Sequence, residues 1–188
     1  MQVLDLSGIP LYTKDRTMED PFVVCGGPCT YNPEPIADFF DLVYIGEGET
    51  SYRELLDKYK EWKKSGKSRR EFLEIAATVD GIYVPSLYDV TYNQDGTIHA
   101  MVPNCETAPE KVKKQVVNDL THTYYPEKPL VPYIKATQDR VVLEIQRGCI
   151  RGCRFCQAGM IYRPIRPRDI DYLKKMAVTM LDLSLIHI

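Results

Sequence analysis

Val141-Val-Leu-Glu-Ile-Gln-Arg-Gly-Cys149-Ile-Arg-Gly-Cys153-Arg-Phe-Cys156-Gln-Ala-Gly159 is the stretch on which the reading of this chain turns. It sets a C-x₃-C-x₂-C triplet directly behind a short aliphatic run. Three thiolates on one tight loop can hold three irons of a four-iron cluster, and the segment offers no fourth. An electron-transfer ferredoxin closes its irons with cysteines in spacings such as C-x₂-C-x₂-C. A cluster with one open iron can instead bind and reduce a substrate or cosubstrate. Val141 to Ile145, β-branched and aliphatic, reads as a buried strand feeding the loop. Gly148 and Gly152 flank the first two cysteines and Gly159 follows the third, as a backbone wrapped round a cluster requires.

Charge supports the same reading. Between Asp139 and Lys175 there are nine Lys/Arg against four Asp/Glu. That balance, with Arg147, Arg151 and Arg154 nearest the cysteines, favours thiolates and an anionic cluster. Zinc is the competing ligand, since three cysteines and a remote donor make a closed tetrahedral site. Its motifs usually arrive as two separated pairs; no second pair lies downstream, but Cys25 and Cys29 stand upstream and keep zinc open.

The segment from Arg140 to Arg166, with Val-Leu-Glu-Ile-Gln-Arg-Gly-Cys149 and Cys156-Gln-Ala-Gly-Met-Ile-Tyr-Arg-Pro164, resembles a bacterial radical S-adenosylmethionine (SAM) family fused to a cobalamin-binding-like domain. Gly26-Gly-Pro-Cys-Thr-Tyr-Asn-Pro-Glu-Pro35 and Asp41-Leu-Val-Tyr-Ile-Gly-Glu-Gly-Glu49 resemble the second half of that N-terminal domain. The resemblance implies that Cys149, Cys153 and Cys156 ligate a [4Fe–4S] cluster, with SAM chelating the open iron through its amino and carboxylate groups. One electron from a reductant such as flavodoxin or ferredoxin would then yield a 5′-deoxyadenosyl radical. It also implies that Phe155 packs beside cluster and SAM. Cobalamin is a weaker implication, because His99, His122 and His187 lack the Asp-x-His-x-x-Gly context of a lower ligand. The Gly-Gly-Glu type of SAM-binding motif is likewise missing. The resemblance names no substrate and no catalytic side chain.

Composition bounds the rest. The chain has 188 residues, 44% of them hydrophobic, with net charge −2. That is ordinary for a globular chain of one or two domains and gives no whole-chain argument for nucleic acid or membrane. No run of about eighteen apolar residues is present to span a bilayer. Without a basic-then-apolar leader, the six cysteines point to reduced thiols in the cytoplasm rather than a secreted disulfide framework.

Along the chain the pattern predicts an α/β fold. Residues 1–80 read as a partial Rossmann-like, cobalamin-binding-like parallel sheet, 81–138 as hairpin and connector, and 139–182 as the first βα unit of a radical SAM (β/α) barrel. Phe22 to Cys25 and Leu42 to Ile45 are short strands, with a short helix between them from Pro33 to Phe40. Ligands of parallel sheets bind beyond the strands' carboxyl ends, which makes Gly46 and Gly48 candidate cofactor-binding residues; a tight strand-to-helix turn is the plainer alternative. Capping boxes at Ser51-Tyr-Arg-Glu54 and Ser68-Arg-Arg-Glu71 open two helices. The first carries Tyr52, Leu55, Leu56, Tyr59 and Trp62 on one face. Tyr88 to Asn93 and Thr97 to Val102 form a hairpin through Gln94-Asp-Gly96. Prolines 103, 109, 126, 129 and 132 mark the connector, and Arg168 to Asp182 forms the last helix. Leu183-Ser-Leu-Ile-His-Ile188 reads as a translated sequencing adapter and stands outside the fold. A barrel cut this short is expected to be inactive by itself.

Two rival functions remain open from the residues. One is a non-enzymatic binding module stabilised by zinc or a cluster. The other is an RNA-modifying, methylthiotransferase-like enzyme suggested by the basic segment, although Cys25, Cys29 and Cys105 lack the spacing of that class's second cluster.

Overall fold

The computed structural model describes residues 1–128, 133, 134, 137 and 141–184. Pro129, Pro132, Arg140 and the tail residues 185–188, including His187, lie outside them. The chain divides into two compact units, Met1–Val116 and Val117–Ile188.

In the first unit, helix α1 (Gln2–Leu6) precedes strands β1 (Val24–Cys25) and β2 (Leu42–Tyr44), which pair in parallel with Val24 opposite Leu42. All three residues of β2 are buried, as a central strand covered on both faces should be. The β1–β2 connection was expected to be one short helix. It runs instead through 3₁₀ turns at Pro28–Tyr31 and Glu34–Phe39. Pro33 and Pro35 stand at the N-cap and in the first turn of the second segment, where a missing N–H costs no helical hydrogen bond.

Helices α2 (Tyr52–Ser65) and α3 (Arg69–Ala77) follow. Leu55 is buried on α2, and Tyr52, Tyr59 and Trp62 pack against the core, whereas Leu56 is exposed. At α3 the expected capping box forms: Glu71 N donates to Ser68 Oγ at 3.3 Å, and Ser68 N donates to Glu71 Oε2 at 2.8 Å. At α2 it does not. The Ser51 hydroxyl leaves the helix end and donates to Asp80 O at 2.6 Å. A link to the chain's return, 29 residues away, wins over the local cap.

Strand β3 (Ile82–Tyr83) closes this sheet antiparallel to β2, with Val43 opposite Tyr83. The purely parallel, Rossmann-like sheet expected here is therefore a mixed sheet in the order β1-β2-β3. The hairpin is present as β4 (Tyr88–Tyr92) and β5 (Ile98–Pro103). The core of this unit includes Phe72, Leu42, Ile82 and Leu87, each at most 1% exposed. Phe22, Tyr59, Trp62 and Phe72 meet ring to ring with centroids 4.6 to 6.2 Å apart. Each fully buried side chain of this size contributes about 1.5–3 kcal/mol.

A polar knot ties the N-terminal segment to this core. Arg16 NH1 meets Asp41 Oδ2 at 2.7 Å, and Arg69 NH2 meets Asp41 Oδ1 at 2.9 Å. Arg16 also donates to the carbonyls of Pro10, Leu11 and Phe39, and Arg69 lies 3.9 Å over the Phe22 ring.

In the second unit, β6 (Gln146–Arg147) pairs antiparallel with β7 (Arg166–Pro167); between them lies helix α4 (Ala158–Ile161), and α5 (Ile170–Ser184) follows. The buried strand expected at Val141 to Ile145 is not formed. That segment has no regular strand structure, and Val142 and Ile145 are each 63% exposed. Its apolar residues need parallel neighbours on both sides, and no barrel closes among the described residues. Helix α5 forms where expected but starts and ends two residues later, so its backbone continues through Leu183 and Ser184; Met176 and Met180 are buried, with Asp169 Oδ1 accepting from the N–H groups of Asp171 and Tyr172 at its start.

Candidate functional site

The cysteine loop occupies residues 148–165, closed at its base by the β6–β7 pair. Gln146 faces Pro167 and Arg147 faces Arg166. The chain therefore leaves and re-enters the loop at one place.

Gly148 adopts φ +92° at the loop's first residue. A Cβ there would stand 2.7 Å from Pro164 O and 2.8 Å from Tyr162 O, so only glycine fits this seat. Arg166, 5% exposed, holds the same two carbonyls from the other side. Its Nε donates to Pro164 O at 2.9 Å and NH2 to Tyr162 O at 3.1 Å, while NH1 reaches Val117 O at 2.7 Å. Farther along, the Gly159 Cβ position is 2.8 Å from Arg151 O, whereas that of Gly152 meets nothing within 4 Å. The loop is seated at its base and uncrowded at its middle glycine.

Glu144 joins the two stems. Its Oε1 accepts from Arg147 Nε at 2.8 Å on the outgoing stem, and Oε2 accepts from Arg168 NH2 at 2.6 Å on the returning one. Burial works to raise the Glu144 carboxyl, but hydrogen bonds and charge from Arg147 and Arg168 outweigh it and hold it below the ordinary glutamate value. Arg168 also donates to Leu120 O and lies 4.8 Å over the Tyr125 ring. The Tyr125 hydroxyl donates to Val142 O at 2.7 Å and accepts from Glu144 N at 3.0 Å. Arg168 Nε is buried with no hydrogen-bond partner.

The three candidate ligands share this loop. Cys149 is half-buried, while Cys153 and Cys156 are exposed. Cys156 N donates to Cys153 O at 3.2 Å, placing the last two cysteines on one turn. Among the described residues, no group of three or more His, Cys, Asp or Glu side chains stands together closely enough to hold a metal ion. The triplet is thus brought onto one loop without being drawn into a finished ligand set. The donor chemistry suits a cluster: three soft thiol donors, two of them accessible, on a loop with room at its middle. Phe155 is 91% exposed beside Cys156. Of the basic residues expected to bias the site, Arg147 is engaged with Glu144, whereas Arg151 and Arg154 are exposed on the loop.

The upstream candidates lie in the first unit. Gly46 has φ +121°, and a Cβ there would be 2.2 Å from Gln115 O. Gln115 bridges Gly46 in parallel, donating its N–H to Ile45 O and accepting from Glu47 N, each at 3.0 Å. The chain's own backbone thus fills the space beside Gly46, the structural role of a turn glycine. Gly48 faces only Tyr52 Cβ, at 3.9 Å. Cys25 ends β1 and Cys29 sits on the following 3₁₀ turn. Burial, then the neighbouring Cys29, raise the Cys25 thiol.

Sequence reasoning missed Glu144, Arg166, Arg168 and Tyr125 as the loop's supports. One signal was present: Arg163-Pro-Ile-Arg-Pro-Arg168 spaces Arg166 and Arg168 by two, the spacing of side chains on one face of an extended chain.

Residues 1–85 match the family described as radical SAM proteins, N-terminal. The expectation of a cobalamin-binding-like domain there becomes the broader one of a radical SAM N-terminal region. An uncharacterized protein of Methanocaldococcus jannaschii is 33% identical over 167 residues, covering 87% of this chain. The chain spans 30% of that relative's length. No solved structure matches.

Proposed function

We propose that this chain carries the cluster-binding start of a radical SAM enzyme. Cys149, Cys153 and Cys156 would hold a [4Fe–4S] cluster, leaving one iron for the amino and carboxylate groups of SAM. The observation that carries this reading is the three-cysteine segment without a fourth cysteine. The match of residues 1–85 supports it from the opposite end of the sequence.

A cluster held by Cys149, Cys153 and Cys156, reduced by a flavodoxin or ferredoxin, would supply the electron for reductive cleavage of SAM to methionine and a 5′-deoxyadenosyl radical. The chain's own residues have simpler tasks. The thiolates would anchor, and Arg151 and Arg154 would add positive charge beside an anionic cluster. Phe155, exposed beside Cys156, is an apolar group that would be available to cover cluster and cosubstrate. This chemistry suits a reducing cytoplasm. Among the described residues no helix is long and apolar enough to cross a membrane.

Anaerobic reconstitution with iron and sulfide tests the reading. The protein should bind iron and inorganic sulfide and show broad iron–sulfur absorption, and Cys149→Ala should abolish both. Zinc bound in place of iron, or an alanine variant with an unchanged cluster, would contradict it.

A further inference from the structure

We propose that Arg166 is the positioning residue of Cys149, acting through the carbonyls of Tyr162 and Pro164 on which Gly148 is seated; the inference rests on the cluster reading above. Cys149 is the only member of the triplet that is not exposed. It follows Gly148 directly, so its backbone is fixed wherever Gly148 is fixed. Gly148 is confined by Tyr162 O, Pro164 O and Ile165 Cα, all within 3 Å of where its side chain would begin.

Those carbonyls belong to the returning limb of the same loop. Left alone, a turn bearing two inward carbonyls would swing toward water, because a buried acceptor without a donor is costly. Arg166 prevents this with donors in three directions, to Pro164 O, Tyr162 O and Val117 O. A planar guanidinium spreads its N–H groups in a fixed fork, which a lysine ammonium cannot reproduce. Val117 lies 49 residues away in sequence, so this bond also ties the loop base to the start of its own unit.

The consequence is an unequal loop. Its first ligand stands on a seated base, while the second and third share an exposed turn. Arg166 therefore sets where the first sulfur stands, and the other two close toward it when a cluster is assembled.

Thiol labelling separates this role from general stability and from the cluster reading. In the metal-free chain, iodoacetamide alkylation of each cysteine is followed by peptide mass spectrometry, with circular dichroism as the folding control. Cys149 should react more slowly than Cys153 and Cys156. Arg166→Met and Arg166→Lys should both speed Cys149 alkylation several-fold, leave Cys153 and Cys156 unchanged, and lower the iron retained after anaerobic reconstitution. If Arg166→Lys behaves as wild type, charge rather than the fork suffices and the proposal is overturned. Equal acceleration of all three cysteines, or of none, also overturns it. Should Arg166→Met fail to fold, Gly148→Ala disturbs the same seat from the opposite side and should give the same selective change; its absence would be decisive against the proposal. Selective Cys149 exposure in a chain that binds no iron would sink the cluster reading while leaving the seat intact.

Discussion

The first unit and the cysteine loop of the second both bury arginines, yet they are held together differently. In residues 1–116 the arginines Arg16 and Arg69 flank a buried Asp41 at the edge of an apolar core that includes Leu42, Leu55, Phe72, Ile82 and Leu87. Around the loop, Arg166 and Arg168 are themselves among the most buried side chains, beside a few apolar residues such as Leu120, Met176 and Met180. The first unit is shaped by area removed from water, which is non-directional. The loop is shaped by directional bonds to named carbonyls and to Glu144. Directional bonds can hold the base of a loop while its middle stays open, as a ligand-accepting segment requires.

That contrast can be broken most sharply at Asp41. Asp41→Ala leaves the buried Arg16 guanidinium and that of Arg69 without their shared counter-charge and should cost about 3–5 kcal/mol, read by chemical denaturation through Trp62, the chain's single tryptophan. Phe72→Ala removes the centre of the aromatic cluster, and a similar loss of about 3–5 kcal/mol is expected. Neither change should alter the alkylation order of Cys149, Cys153 and Cys156. If the loop thiols respond as strongly as the core, the two regions are not separately held.

Glu144→Gln should have a smaller effect, about 1–2 kcal/mol, because the glutamine keeps an oxygen acceptor and Arg168 keeps the Leu120 carbonyl. Its pH dependence sharpens the distinction. A carboxyl held below its unfolded value contributes stability above that value, about 4.3, and loses it as pH falls through the folded one. Hydrogen-exchange protection at residues 141–148, taken relative to the intrinsic rate at each pH, should therefore fall on acidification below about pH 4.3 in the wild type, and Glu144→Gln should flatten that response. The smallest expected effect is Ser68→Ala, about 1 kcal/mol for the loss of a helix cap. It should be visible in Trp62 fluorescence and absent from loop labelling.

The elements legible in sequence were those decided locally. The Ser68 cap, the hairpin through Asp95-Gly96 and the last helix, α5, each depend on residues a few positions apart. Elements that failed depended on partners far along the chain. Ser51 abandoned its cap for Asp80. Val141 to Ile145 has the composition of a strand but lacks regular strand pairing. Strand β3 was not read from the sequence, because its two residues are decided by β2, some 40 residues earlier, through the pairing of Tyr83 with Val43. The cysteine triplet was plain from spacing alone. Its supports were not, since Glu144 and Arg168 meet across 24 residues.

The most direct measurement is Mössbauer spectroscopy of the anaerobically reconstituted protein, enriched in ⁵⁷Fe, before and after addition of SAM. Three cysteine-ligated irons should keep their parameters while the fourth shifts on chelation by SAM. Spectra that do not change on addition, or a protein that holds no four-iron cluster, would contradict the assignment of Cys149, Cys153 and Cys156.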